Sequence, residues 1–300
     1  MTLMLVCVTA VVVAGEPVES ENLLLAELLE KGVAMSDGSS VRLPPPTLPD
    51  GLDAAGQRAA LEQVGGARHP VEELLRKSIV APFVLSIRSL QTPAGESPAR
   101  AVDLWFVAHG DWDTLGSKEF VERLFERGDR SDPDGRVSKS GWLDEAALAK
   151  RKIDLRPQPD QEERYSYGTG VLFDRVELST ALRVLVTRRT ESFLAVARID
   201  PRFNGDPEYP NQWRSIARDL DNPQNVAFGP PQLYTSAGCY GKMTRLAQPA
   251  GAMFIEYHLV FEEPHGWFKG ANLLRSKLPL VVQDEVRTFR RRLQSAAGTR

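Results

Sequence analysis

Residues 176–186 read VELSTALRVLV, and Val176, Leu178, Thr180, Leu182, Val184 and Val186 occupy every second position, with Glu177, Ser179 and Arg183 between them. Side chains of a strand alternate between its two faces, so this period of two predicts a long strand with one face on a core. Residues 193–199 return after the polar turn Arg189-Thr190-Glu191, and 239–246 and 253–261 form a second pair turned by Gln248-Pro249-Ala250-Gly251. Such hairpin spacing predicts an antiparallel sheet.

Outward from this block, Phe83, Leu85 and Ile87 alternate with more polar positions, as do Val102, Leu104, Phe106 and Ala108. These are two further strands, joined by the turn-rich segment 91–98. Helices are expected at 20–31 (capped by Ser20 and stopped by Gly32), 53–64, 71–77 and 118–127. Asp37-Gly38 is a turn with extended flanks, and Pro44-Pro45-Pro46 is a stiff extended connector. A last helix is expected from 277 to 293, where Leu278, Val282, Val286, Phe289 and Leu293 step by three and four along one face and Pro279 sits in the first turn. The expected class is α+β: an antiparallel sheet packed around a long C-terminal amphipathic helix, with an N-terminal helical and hairpin region. The loop-rich segment 128–141 sets a soft boundary between 16–135 and 136–300, the two forming either separate units or one continuous domain.

The chain has 300 residues, 42% of them hydrophobic, and a formal charge of -3. That balance is globular and lacks the basic excess that a nucleic-acid binder needs to meet phosphates. The eleven-residue apolar run 3–13, followed by Ala14 and Gly15, reads as a signal peptide covering 1–15. It is shorter than the roughly 20 residues a membrane-spanning helix requires. An exported protein, periplasmic or extracellular and without a stable transmembrane anchor after cleavage, is the expectation. Cys7 would leave with that peptide, so Cys239 would be the only thiol of the mature chain.

The segment LLRSKLPLVVQDEVRTFRRRLQS at 273–295 resembles the closing helix of START-type helix-grip domains. That resemblance implies an apolar cavity between sheet and helix for a lipid or other hydrophobic molecule. The chain also resembles exported bacterial proteins of unassigned function through YPNQW at 209–213 and WFKGANLLRSKLP at 267–279, a likeness that implies no activity. The first functional expectation is therefore non-catalytic binding of a hydrophobic ligand, in a hollow lined by Leu182, Val184, Phe261, Val282 and Phe289. The second is a cell-envelope interaction module using exposed Tyr209, Trp213, Trp267 and Phe268.

Chemistry-bearing residues are few. His109, at a strand end beside Asp111 and Asp113, could serve a hydrolase as a general base, possible helpers being Glu256 and His258. Glu256, His258 and Glu262 share one face of a predicted strand, with His265 beyond its end, and are the candidate metal ligands. Asp132 and Asp134 fit two positions of a calcium loop, but Arg130 and Gly141 stand where its anchoring carboxylates belong. No cofactor is expected: there is no Walker loop, HExxH or GxSxG, and Gly168-Thr169-Gly170 lacks the third glycine of a dinucleotide fingerprint. Arg287, Arg290, Arg291 and Arg292 suit the negative end of the last helix, or an anionic partner.

Overall fold

The computed structural model describes residues 21–90, 99–115, 140–155, 161–218, 226–264, 267 and 273–297. The expected helix 118–127, the calcium-loop aspartates, His265, Phe268 and the expected signal peptide lie outside them.

Helix α1 (Leu23–Glu30) is followed by a two-residue hairpin, β1 (Val33–Ala34) and β2 (Ser40–Val41), then by α2 (Ala54–Gly65) and the short α3 (Val71–Leu74). Next come β3 (Phe83–Leu90), β4 (Ala99–His109), the single turn α4 (Trp112–Leu115), β5 (Ser140–Trp142) and α5 (Glu145–Ala149). The strands β6 (Gln161–Leu172), β7 (Val176–Arg188), β8 (Ser192–Ile199), β9 (Gln212–Arg218), β10 (Val226–Phe228), β11 (Gln232–Leu233), β12 (Ala237–Arg245) and β13 (Ala252–Glu262) lead to the final helix α6 (Leu273–Ala297).

All strands except β1 and β2 join one antiparallel sheet of eleven, running β10-β9-β7-β8-β12-β13-β4-β3, with β6 along the other edge of β7. β4 pairs with β13 from Ala99↔Glu262 to His109↔Ala252. Strands from both sides of the expected boundary thus share one hydrogen-bonded ladder. The α+β class and the α6-on-sheet arrangement match the sequence reading; β6 and β9–β11 were not foreseen, because glycines and charges blur their alternation.

Two layers cover the sheet. On one face Ile255, Tyr257, Leu259, Val184, Ala195 and Phe106 pack with Leu278, Val282, Val286, Phe289 and Leu293 of α6. On the other, Leu24 and Leu28 of α1 pack on Val196, Tyr240 and Val260, and Leu61 and Leu74 pack on Val107 and Phe254. β13 is buried at every position, as its apolar residues on both faces had implied.

Three local readings need correction. Asn22 rather than Ser20 caps α1: its Oδ1 accepts from Leu25 N at 3.0 Å while its Nδ2 donates to Leu185 O and Thr187 Oγ1. One side chain therefore starts the helix and docks it on β7. α3 ends at Leu74, three residues short of expectation. α6 begins by Leu273, so Pro279 lies inside the helix instead of its first turn and removes the hydrogen bond that would reach Arg275.

Gly32 ends α1 at φ +80°, and a Cβ there would stand 2.6 Å from the Val41 carbonyl carbon and oxygen. Gly38, at φ +81°, has open space around it. We expect Gly38→Ala to cost about 1–2 kcal/mol, the left-handed penalty alone, and Gly32→Ala to cost clearly more. Urea unfolding midpoints of the two variants check this; equal midpoints would contradict it.

Candidate functional site

The polar groups of greatest interest lie under the N-terminal segment, on the face of β13 that carries Glu256, His258 and Glu262. Register places His258 opposite Asp103 of β4 and Tyr240 of β12, and Glu256 opposite Trp105 and Lys242. The alternation that puts apolar side chains on α6 necessarily directs these polar ones to the other side.

They form a charged line that runs inward from the exposed Arg88. Arg88 Nη2 donates to Asp103 Oδ2 at 2.8 Å, Asp103 Oδ1 lies 2.8 Å from His258 Nδ1, and His258 Nε2 lies 3.3 Å from Glu256 Oε2. Glu256 is 0% exposed and His258 1%. A ring that meets a carboxylate at each nitrogen donates to both only as the imidazolium. Burial disfavours that cation, but the hydrogen bonds to Asp103 and Glu256 and their charges outweigh it and raise the His258 pKa. Burial likewise pushes Asp103 upward, and its bonds to His258 and Arg88 bring the net shift below the usual carboxylate range. Tyr240 lies 4.8 Å from the His258 ring and Trp105 5.3 Å, edge-on.

The same side chains hold residues 36–50 onto the sheet. Thr47 N donates to Glu256 at 2.7 Å and Leu48 N at 3.5 Å; Lys242 Nζ donates to Leu48 O at 2.5 Å and pairs with Asp50 at 2.8 Å. Tyr240 Oη donates to Pro44 O, Trp105 Nε1 to Thr47 Oγ1, and Ser36 N and Oγ to Glu262. A strap with four prolines and little secondary structure has its buried backbone groups satisfied by sheet side chains instead.

The candidate metal ligands thus have separate tasks. His258 has no nitrogen free for a metal, and Glu262 is taken by Ser36. Among the described residues no three His, Cys, Asp or Glu side chains are arranged to hold a metal ion. Asp103, Lys242 and Asp50 were missed, although Asp103 and Lys242 are single charges inside otherwise apolar strand sequences, the one signal that could have found them.

His109 ends β4 on this face, six register positions from His258 along β13, about 20 Å at 3.3 Å per residue. The joint site of the two histidines therefore does not exist. His109 Nε2 donates to Leu75 O at 2.9 Å. Burial, with Lys77 and Arg290 nearby, lowers its pKa against the pull of that hydrogen bond, which keeps the ring neutral. Asp111 Oδ1 accepts from Asp113 N at 3.4 Å at the start of α4.

No family model matches the chain, and no curated protein matches it.

The expected cavity residues Leu182, Val184, Phe261, Val282 and Phe289 do gather in one cluster between sheet and α6. Phe289 meets Phe106 edge-on at 5.6 Å. The expected exposed aromatics, by contrast, are not exposed: Trp213 is 5% and Trp267 2% exposed, and Tyr209 is half-buried over Arg151 and Tyr167. The YPNQW motif is a packing signature. Its Asn211 accepts from Ala181 N and donates to Asp200 O and Asn204 Oδ1. Cys239 is buried as expected, but it is disulfide-bonded and so is not the thiol the sequence suggested.

Replacing His258 by Gln should destabilise the fold by about 3–5 kcal/mol, because it leaves two buried carboxylates without their cation. The sign of the pH dependence follows from the shift. A raised histidine contributes fully below its unfolded pKa of about 6.5, and that contribution is lost as pH rises through the folded value. The stability gap between wild type and His258→Gln in urea unfolding should therefore shrink from pH 6.5 to 9; a constant gap would show that His258 is not the cation.

Proposed function

We propose that the protein is an exported, non-catalytic binding protein that encloses a hydrophobic molecule, such as a lipid, between the sheet and α6. The supporting observation is a mismatch of widths. A helix with its side chains is about 10–12 Å across and covers two to three strands spaced about 4.8 Å apart. The backbone of α6 runs closest to β3 and β4, whereas the apolar face continues through Ala195, Ala197, Leu182, Val184 and Leu178 of β8 and β7. On that far side Trp267 stands 6.0 Å from Trp213, 5.2 Å from Tyr234 and 6.4 Å from Phe261. These rings and the strand residues beside them are covered by the protein's own atoms, so a ligand enters this layer by displacing α6 or the aromatic cluster.

No second reading has an observation behind it. The interaction module depended on exposed Trp213 and Trp267, which are buried, and the hydrolase on His109 acting with Asp111 or Asp113, whereas the contact found for His109 is the Leu75 carbonyl. The export reading rests on the apolar run 3–13 with Ala14 and Gly15 after it; the disulfide of Cys239 suits an oxidising compartment but not loss of that run, which holds the only other cysteine of the sequence.

Mass spectrometry of an organic extract of the purified protein should show a co-purifying lipid at stoichiometric amount. Delipidated protein should bind cis-parinaric acid saturably, with energy transfer from tryptophan, and Trp213→Ala should weaken that binding several-fold. An extract without lipid together with unsaturable probe signal would overturn the reading.

A further inference from the structure

A cavity of about 170 Å³ opens beside α6 at the start of the edge strand β3, with His69, Gln283, Arg287 and Arg290 supplying its polar lining and Val80 and Phe83 part of its apolar wall. No Asp or Glu among the described residues lines it. Its volume is close to that of an engineered cavity of about 150 Å³ that accepts benzene, which is enough for one small head group.

Arg290 sets this cavity apart. It is 2% exposed, and its guanidinium donates to four backbone oxygens: Val107 at 2.9 Å, Ile79 at 3.2 Å, Ala81 at 2.5 Å and Pro82 at 3.0 Å. Those carbonyls take four of five N–H groups and bring no charge. The other buried cations of the described residues are matched by acids: Lys242 by Asp50, and His258 by Asp103 and Glu256. No carboxylate stands within ion-pair distance of Arg290 among the described residues. Burial alone moves its pKa down to about 10, so the cation persists at neutral pH.

Gln283, Arg287 and Arg290 follow one another at i, i+4 and i+7, on one stripe of α6. Arg287 likewise has no acid partner among the described residues, and Lys77 adds charge near His109. A site built from donors and cations, walled partly by apolar side chains and lacking any acid, is complementary to an anion.

We propose that this cavity binds a small oxyanion, a carboxylate or phosphate group, which Arg287, Gln283 and His69 hold above the buried charge of Arg290. The site lies away from the aromatic cluster of the hydrophobic-ligand reading and does not depend on it.

The full chain has four histidines, so the His69 and His109 rings can be followed separately by NMR. Titration at constant ionic strength with inorganic phosphate and, in parallel, with benzoate should move the His69 ring signal saturably with at least one of them. The anion that saturates identifies the head group. Arg287→Gln should weaken that binding about tenfold or more, the loss of one charge-assisted contact, with the His258 signal unmoved. Gln283→Glu should abolish binding and raise the thermal midpoint, since it supplies the missing acid from within. Failure of both anions to saturate, or an Arg287→Gln titration identical to wild type, would overturn the proposal.

Discussion

An imidazolium held between two carboxylates in the middle of a sheet is an expensive thing to bury, and the architecture is arranged around satisfying it. His258 keeps its proton because Asp103 and Glu256 flank it, while Arg88 completes the hydrogen bonding of Asp103 and the amides of Thr47 and Leu48 that of Glu256. The N-terminal segment is thereby made part of the core. Pro44, Thr47 and Leu48 each hydrogen-bond to a β4, β12 or β13 side chain, so strap and sheet stabilise each other.

This arrangement explains why β13 can be buried on both faces while carrying Glu256, His258 and Glu262. One face is apolar throughout and meets α6; the other is polar only where the strap offers backbone partners. A buried charge in this chain is normally part of such a closed network, and Arg290 departs from that rule because its four partners are all neutral. That departure separates a structural polar cluster from a site with room for something else.

The distinction also governs how the functional candidates are read. Glu256, His258 and Glu262 have the residue types of a metal site, and His109 with its aspartates has those of a general base. Residue type and shared face were visible along the chain, but the partner of each nitrogen and oxygen was not. Carboxylates occupy both nitrogens of His258 and a serine meets Glu262, so these two are structural groups in this fold, whereas His109 has one nitrogen on the Leu75 carbonyl. Trp213 and Trp267 show the converse: aromatic residues in polar local sequence that distant packing buries.

Periodicity by itself determined much of the architecture. The alternation in β7 and β13, the turn at 248–251 and the three-and-four stepping of Leu278, Val282, Val286, Phe289 and Leu293 specify an antiparallel sheet with one long helix, because these patterns decide which side chains face apolar surroundings. Tertiary structure alone decided that β4 pairs with β13 across 142 intervening positions, that residues 36–50 lie over the polar face, and that Arg290 is buried without an acid among the described residues. The physical reason is range: periodicity is a property of neighbours along the chain, whereas the charge that balances a buried group, or fails to, comes from residues brought near only by folding.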